Sequence, residues 1–177
     1  MGFFSGIQDT EVGSKIERRG YLHEGTYVLE LDTILASTMR EDGQPFHVVE
    51  FTVFDVLQST EDSDKVGARV KWFETPKIKL NGERTQGGEY AFKRIRQFYA
   101  ALFGKRVEDI TDTVMEAAEA KGLVGTRDEQ GRPVGGDVLK GTLIQAVVKK
   151  SAGGYCNPVF IGLTAEEQAR IRKAQAA

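Results

Sequence analysis

The chain has 177 residues, 40% of them apolar and 28% charged, a balance that suits one well-cored domain and excludes wholesale disorder. A single cysteine, Cys156, excludes an internal disulfide framework and fits a reducing cytoplasm. The net charge of −2 hides an uneven distribution: residues 1–64 carry 13 acidic and 4 basic side chains, whereas residues 65–106 carry 11 basic and 3 acidic ones. A polyanion responds to the local field rather than to the total, so the central block is the place to look for a nucleic-acid contact. The plainer alternative is that the opposite charges compensate one another across the folded surface.

In chain order, "MGFFSG" lacks the basic and long apolar parts of a signal peptide, and Gly6 breaks the myristoylation pattern. No run of about 18 apolar residues follows that would span a membrane, and the expected location is the cytoplasm. Residues 1–20 are read as an N-terminal arm with a short helix near "DTEVGSKIERR". In "GTYVLELDTIL", Tyr27, Leu29 and Leu31 alternate with Val28, Glu30 and Asp32, the period of a half-buried strand. Asp42–Gly43 turns the chain into "FHVVEFTVFDVL", with Val49, Phe51 and Val53 on one face and Val48, Glu50, Thr52 and Phe54 on the other. The acidic loop "QSTEDSDK" leads to a third strand, "VGARVKWFETPKIKL", bent or ended near Pro76.

The period then changes from two to about 3.6. Phe92, Ile95, Phe98, Tyr99 and Leu102 form one stripe of a helix that Gly104 ends. A second helix is expected from about Asp112 to Lys121, with Thr113 and Glu116 in capping-box register and Gly122 closing it. A glycine-rich connection with room for a small hairpin precedes two last strands, "DVLKGTLIQAVVKKS" and "NPVFIGL". Thr164 and Glu167 open a helical tail over residues 164–177.

Three strands, a helix and two strands is the order of the OB fold. The expected class is therefore mainly β with helices: a five-stranded OB-fold barrel over residues 21–163, with a helical insert at about 88–122 between strands three and four. Its ligand face is built from strands two and three and from the loops joining strands one–two and four–five. Arg69, Lys71 and Phe73 alternate with the interior-type residues Ala68, Val70 and Trp72. They are expected to face outward, giving cations for phosphates and a ring for bases to stack on. Trp72 is the weaker candidate, because only a bulge would turn it outward. Phe54 is a possible platform on strand two unless a loop or the arm covers it. Lys77, Lys79 and Arg84, around the Asn81–Gly82 turn, are either a basic finger or a solvated loop. Lys149, Lys150 and Tyr155 crowd the loop between strands four and five, where a turn needs only Gly153–Gly154; lysines there also serve solubility.

The sequence offers few groups for chemistry. His23 and His47 stand at no metal-ligand spacing from Cys156, and Gly104–Lys105 lacks the upstream glycine of a phosphate-binding loop. Asp62 and Asp64 read as a solvated acidic loop. No catalytic residue, metal or cofactor is expected.

With "GTYVLEL", "GARVKWFETP", "FYAALFG" and "AVVKKSAGGYCNPVF" in place, the chain from about Gly20 to Leu163 resembles the phage-encoded OB-fold single-stranded DNA-binding proteins of replication and recombination. The resemblance implies sequence-independent coating of exposed strands, often by a homodimer, together with replication or recombination protein partners. By position, it implies DNA contacts from Arg69, Lys71, Phe73, Lys149, Lys150 and Tyr155. The basic ending "ARIRKAQAA" departs from the acidic tail common in such proteins. The competing reading is a β-barrel protein-interaction or virion assembly module that does not bind nucleic acid.

Overall fold

The computed structural model describes residues 19–39 and 41–177; the expected helix near "DTEVGSKIERR" lies, but for Arg19, outside them. The elements are β1 (Gly20–Tyr21), β2 (Gly25–Thr38), β3 (Pro45–Ser59), β4 (Arg69–Glu74), α1 (Gln86–Phe103) and a single 3-10 turn (Val107–Asp109). They continue with α2 (Asp112–Ala120), β5 (Thr126–Arg127), β6 (Pro133–Val134), β7 (Leu143–Lys150), β8 (Cys156–Gly162) and α3 (Ala165–Ala176). The described residues are mainly β with three α-helices.

Six strands form one mixed sheet in the order β1-β4-β3-β2-β7-β8, and this sheet is not closed into a barrel. The five expected strands are β2, β3, β4, β7 and β8, all paired antiparallel with their neighbours. β1 was not foreseen. It lies parallel on the outer edge of β4, Gly20 opposite Val70 and Tyr21 opposite Lys71, and the Leu22 N–H continues the contact by donating to the Lys71 carbonyl at 3.1 Å. A barrel closed between β4 and β8 would need that same edge. Side chains nonetheless meet across the open seam: the Trp72 and Phe160 rings are 5.0 Å apart.

The long hairpin β2–β3 carries three register shifts, and such irregularities bend and twist paired strands. One falls at Asp32, between Leu31 and Thr33. Tyr27, Leu29 and Leu31 point into the core as their alternation predicts, and beyond the shift Ile34 takes over that face. Val49, Phe51 and Val53 meet them from β3, Val70 and Trp72 from β4, and α1 closes the inner side with Ile95, Phe98 and Tyr99.

The helix ends follow local chemistry. Thr85 caps α1, Gly104 ends it in the left-handed region at φ 63°, and Thr164 with Glu167 forms the expected capping box of α3. For α2 the cap is Thr111 rather than Thr113, with its hydroxyl accepting from the Val114 N–H. The third strand is shorter than its sequence run. β4 stops at Glu74, and residues 77–85 fold back as a hairpin with Ile78 opposite Arg84.

The glycine-rich connection is tied to the part of β2 that β7 leaves unpaired: Ile34 and Ala36 donate to the Gly136 and Gly125 carbonyls, and Gly125 donates back to Ile34. A side chain at Gly136, which has φ +83°, would strike the Ile34 carbonyl, so this approach requires glycine. No helix among the described residues is long and apolar enough to cross a membrane.

Candidate nucleic-acid interface

The alternation along β4 places Val70, Trp72 and Glu74 inside and leaves Arg69, Lys71 and Phe73 on the outer face. Trp72 is 5% exposed and donates its indole N–H to Glu74 at 3.2 Å, so this ring belongs to the core and offers no open platform for a base. Phe73 lies on the other side. It stacks on Phe46 with ring centres 5.9 Å apart, in a small apolar cluster with Leu35 and Val48 that is separate from the main core.

That cluster floors a groove of about 350 Å³ on the outer face of β2, β3 and β4. Its walls hold Tyr21, Lys71 and Arg127, with Glu41 and Glu50 at the margin. The Lys71 ammonium stands 4.9 Å from the centre of the Tyr21 ring, and the Arg127 guanidinium 5.2 Å from that of Phe46. Such contacts fix a cation beside an aromatic face. Glu50 is engaged by Arg19 at 3.3 Å.

A second groove, about 730 Å³, runs along the open seam between β4 and the start of β8. It shares Tyr21, Lys71 and Phe73 with the first and adds His23, Arg94 and Tyr155. Tyr155 is 75% exposed on the loop between β7 and β8. That loop is shaped by Ser151, whose hydroxyl accepts from the Tyr155 N–H and whose own N–H donates to the Tyr155 carbonyl. Arg94 is committed to Glu74 through two bonds of 2.6 and 2.7 Å, a bidentate pair against the strand edge that raises the pKa of Arg94. Glu74→Gln is expected to cost about 1–3 kcal/mol of stability in urea unfolding, because it leaves the Arg94 fork without its anion.

The other candidates lie elsewhere. Phe54 does face outward, but α3 covers it: the Arg172 guanidinium is 5.3 Å from its ring, and Gln175 donates to its carbonyl at 2.8 Å. Arg69 opens β4 and is exposed, but lines neither groove. Lys77, Lys79 and Arg84 stand on the 77–85 hairpin, also outside both. Lys79 pairs with Glu83, while Arg84 lies over the Phe92 ring at 3.6 Å and near Glu89 at 3.4 Å. Lys149 and Lys150 flank a shallow hollow on the outer side of β7 and β8, and Lys150 meets Asp62 of the acidic loop at 3.6 Å.

The charge-rich centre is thus partly neutralised from within: its three carboxylates, Glu74, Glu83 and Glu89, each face a cation of the same block. The predicted residues brought together are Lys71, Phe73 and Tyr155, with Trp72 behind them. Tyr21, Phe46 and Arg127 were missed.

The two histidines play different parts. His23 donates its backbone N–H to Asp64 at 2.8 Å and holds the same carboxylate with its ring at 2.9 Å, which fixes the turn into β2. His47 is buried, its Nε2 2.8 Å from the Tyr99 hydroxyl, and burial lowers its pKa to about 3. Among the described residues no three His, Cys, Asp or Glu side chains are grouped so as to hold a metal ion. No protein-family model matches the chain, and no curated protein matches it.

Proposed function

We propose that this chain binds single-stranded DNA without sequence preference and without catalysis, as an open relative of the OB barrel serving replication or recombination. The observation that carries this reading is the ridge formed by Tyr21, Lys71 and Phe73, which two adjoining grooves share. A single strand needs cations along its backbone and rings for its bases, in a path open at both ends. The ridge supplies a lysine between two rings, with Tyr155 on one side and Phe46 under Arg127 on the other. The strand order supports the finer fold reading. The five long strands neighbour one another as third, second, first, fourth and fifth, the order of an OB barrel, and OB barrels are themselves partly open. Replication or recombination proteins are the proposed partners, and the cytoplasm of a phage host the proposed location.

Because Trp72 is buried, the test uses a fluorescein-labelled dT oligomer and anisotropy rather than intrinsic fluorescence. Binding is expected at micromolar concentrations or below, with log affinity falling against log salt by about 0.7 per phosphate neutralised. An affinity that stays flat from low to high salt, or no binding, overturns the reading and favours the protein-interaction alternative.

A further inference from the structure

Helix α2 carries Asp112, Glu116 and Glu119 at spacings of four and three residues, which puts them on one face along about 10.5 Å of helix. None of these carboxylates has an ion-pair partner among the described residues. Like charges at this spacing disfavour the helix that bears them. Glu119 adds to the cost, because it stands in the last turn, at the negative pole of α2, and no basic residue of that turn offsets it. A cation supplied from outside the chain would remove both penalties.

The three carboxylates border a groove of about 390 Å³ between α1, α2 and the far end of the sheet, which Phe92, Met115 and Val124 make apolar. Arg84 and Arg96 share the lining. Arg84 is matched by Glu89 at 3.4 Å, and Arg96 donates to the Val107 and Ile110 carbonyls, so three carboxylates stand against the charge of Arg96. The groove also has a polar spot. His47 and Tyr99 both line it, joined from Nε2 to hydroxyl at 2.8 Å. His47 is 4% exposed, and its Nδ1 has no hydrogen-bond partner among the described residues. Burial raises the Tyr99 pKa and the charge of Glu119 adds to that rise, which sets the acidic rim near the polar spot. Buried ring nitrogens are seldom left unpaired, so this one fits a group from outside the chain.

The spacing decides the chemistry of the ligand. The carboxylates are not grouped to hold a metal ion, and a strongly hydrated ion gains nothing from Phe92 or Met115. A lone ammonium would leave part of the row unmet. A chain of ammonium groups joined by methylenes meets all of it, lays its methylenes on the apolar floor and sets its charges beside aromatic faces. In the tautomer that gives the Nε2 proton to Tyr99, Nδ1 of His47 is an acceptor, and ammonium nitrogens are donors only. We propose that this groove binds a linear aliphatic polyamine, its ammonium groups on Asp112, Glu116 and Glu119 and its methylenes over Phe92, Met115 and Val124. The inference stands apart from the nucleic-acid reading, since neither groove at the Tyr21–Lys71 ridge contains these residues.

Calorimetric titration of the full chain with spermidine, at low salt and without DNA, tests it. Saturable one-to-one binding is expected, with Kd below about 1 mM. Glu116→Gln with Glu119→Gln keeps the side-chain size and is expected to weaken binding at least about tenfold through two lost charge-assisted contacts. Glu61→Gln with Asp62→Asn removes the same charge from the exposed acidic loop and is expected to change Kd by less than about twofold, because salt screens distant charges. All four side chains are exposed, and circular dichroism verifies folding first. Putrescine, a shorter dication, should bind more weakly than spermidine. Long-range proton–nitrogen NMR spectra should show the His47 ring nitrogens shifting as spermidine saturates. Absence of saturable binding, equal weakening by the two double variants, or an unresponsive His47 ring overturns the proposal. So does magnesium that displaces spermidine better than sodium at matched ionic strength. Acetylated trilysine binding as tightly as spermidine overturns it in favour of a basic peptide.

Discussion

Replacing Lys71 by Glu is expected to lower affinity for a labelled dT oligomer at least about tenfold at low salt, which is about 1.4 kcal/mol. Lys71 is the one predicted cation that borders both grooves, so any path from one to the other passes its ammonium. The substitution removes a phosphate contact and also sets a carboxylate in the path, near Glu50. It should flatten the salt dependence by about 0.7 on the log–log slope, the share of one phosphate. Tyr21→Ala tests the other half of the ridge. Loss of one stacked base costs about 1–3 kcal/mol and leaves the salt slope unchanged. Lys77→Glu is the control, because it adds the same charge change outside both grooves. If Lys77→Glu and Lys71→Glu weaken binding equally, the effect is one of total charge and the ridge is not the site. The anisotropy titrations at several salt concentrations separate these outcomes.

The outward face of β4 was legible because its alternation is undisturbed: Arg69, Lys71 and Phe73 fall opposite Val70, Trp72 and Glu74 in a strand without a bulge. The ends of α1 and α3 were legible for a related reason, since a capping threonine or a left-handed glycine acts within one turn of the chain. What escaped was set by contacts between distant segments. β1 is two residues long and has no period to read, yet it brings Tyr21 beside Lys71 and occupies the edge that a closed barrel would use. Arg127 reaches Phe46 only because the glycine-rich connection pairs with β2 some ninety residues earlier. α3 hides Phe54 through polar reach rather than an apolar stripe: Arg172 meets Glu30 at 3.0 Å and Gln168 accepts from the Leu143 N–H at 2.9 Å. The basic character of the tail is therefore partly spent on packing. The count of cations in the charge-rich centre likewise says nothing of Arg94 bound to Glu74.

Acid should unfold this protein more readily than a chain without His47. The ring is enclosed by Trp72, Phe98 and Tyr99, with centres 5.5–6.1 Å away, and among the described residues no carboxylate pairs with it. Burial therefore lowers its pKa from 6.5 to about 3. The unfolded chain takes up this proton near pH 6.5, while the folded chain refuses it until about pH 3. Between those limits unfolding binds a proton, so stability falls as pH falls; the contribution is complete above pH 6.5. The slope approaches about 1.4 kcal/mol per pH unit below pH 6, which amounts to about 1.6 kcal/mol lost between pH 6.5 and pH 5. Over this upper part of the window most ordinary carboxylates stay ionised, which isolates the histidine. His47→Gln keeps an amide to meet the Tyr99 hydroxyl and removes the titration. In a His23→Gln background, so that the only other histidine is silent, urea unfolding at pH 6.5 and pH 5 should show the loss with His47 present and little of it with Gln. Equal losses in both would mean that His47 gains its proton without opening the core. The pocket formed with Tyr99 and the helices would then have to admit water to the ring, and the aromatic cluster that joins α1 to the sheet would be looser than its packing implies.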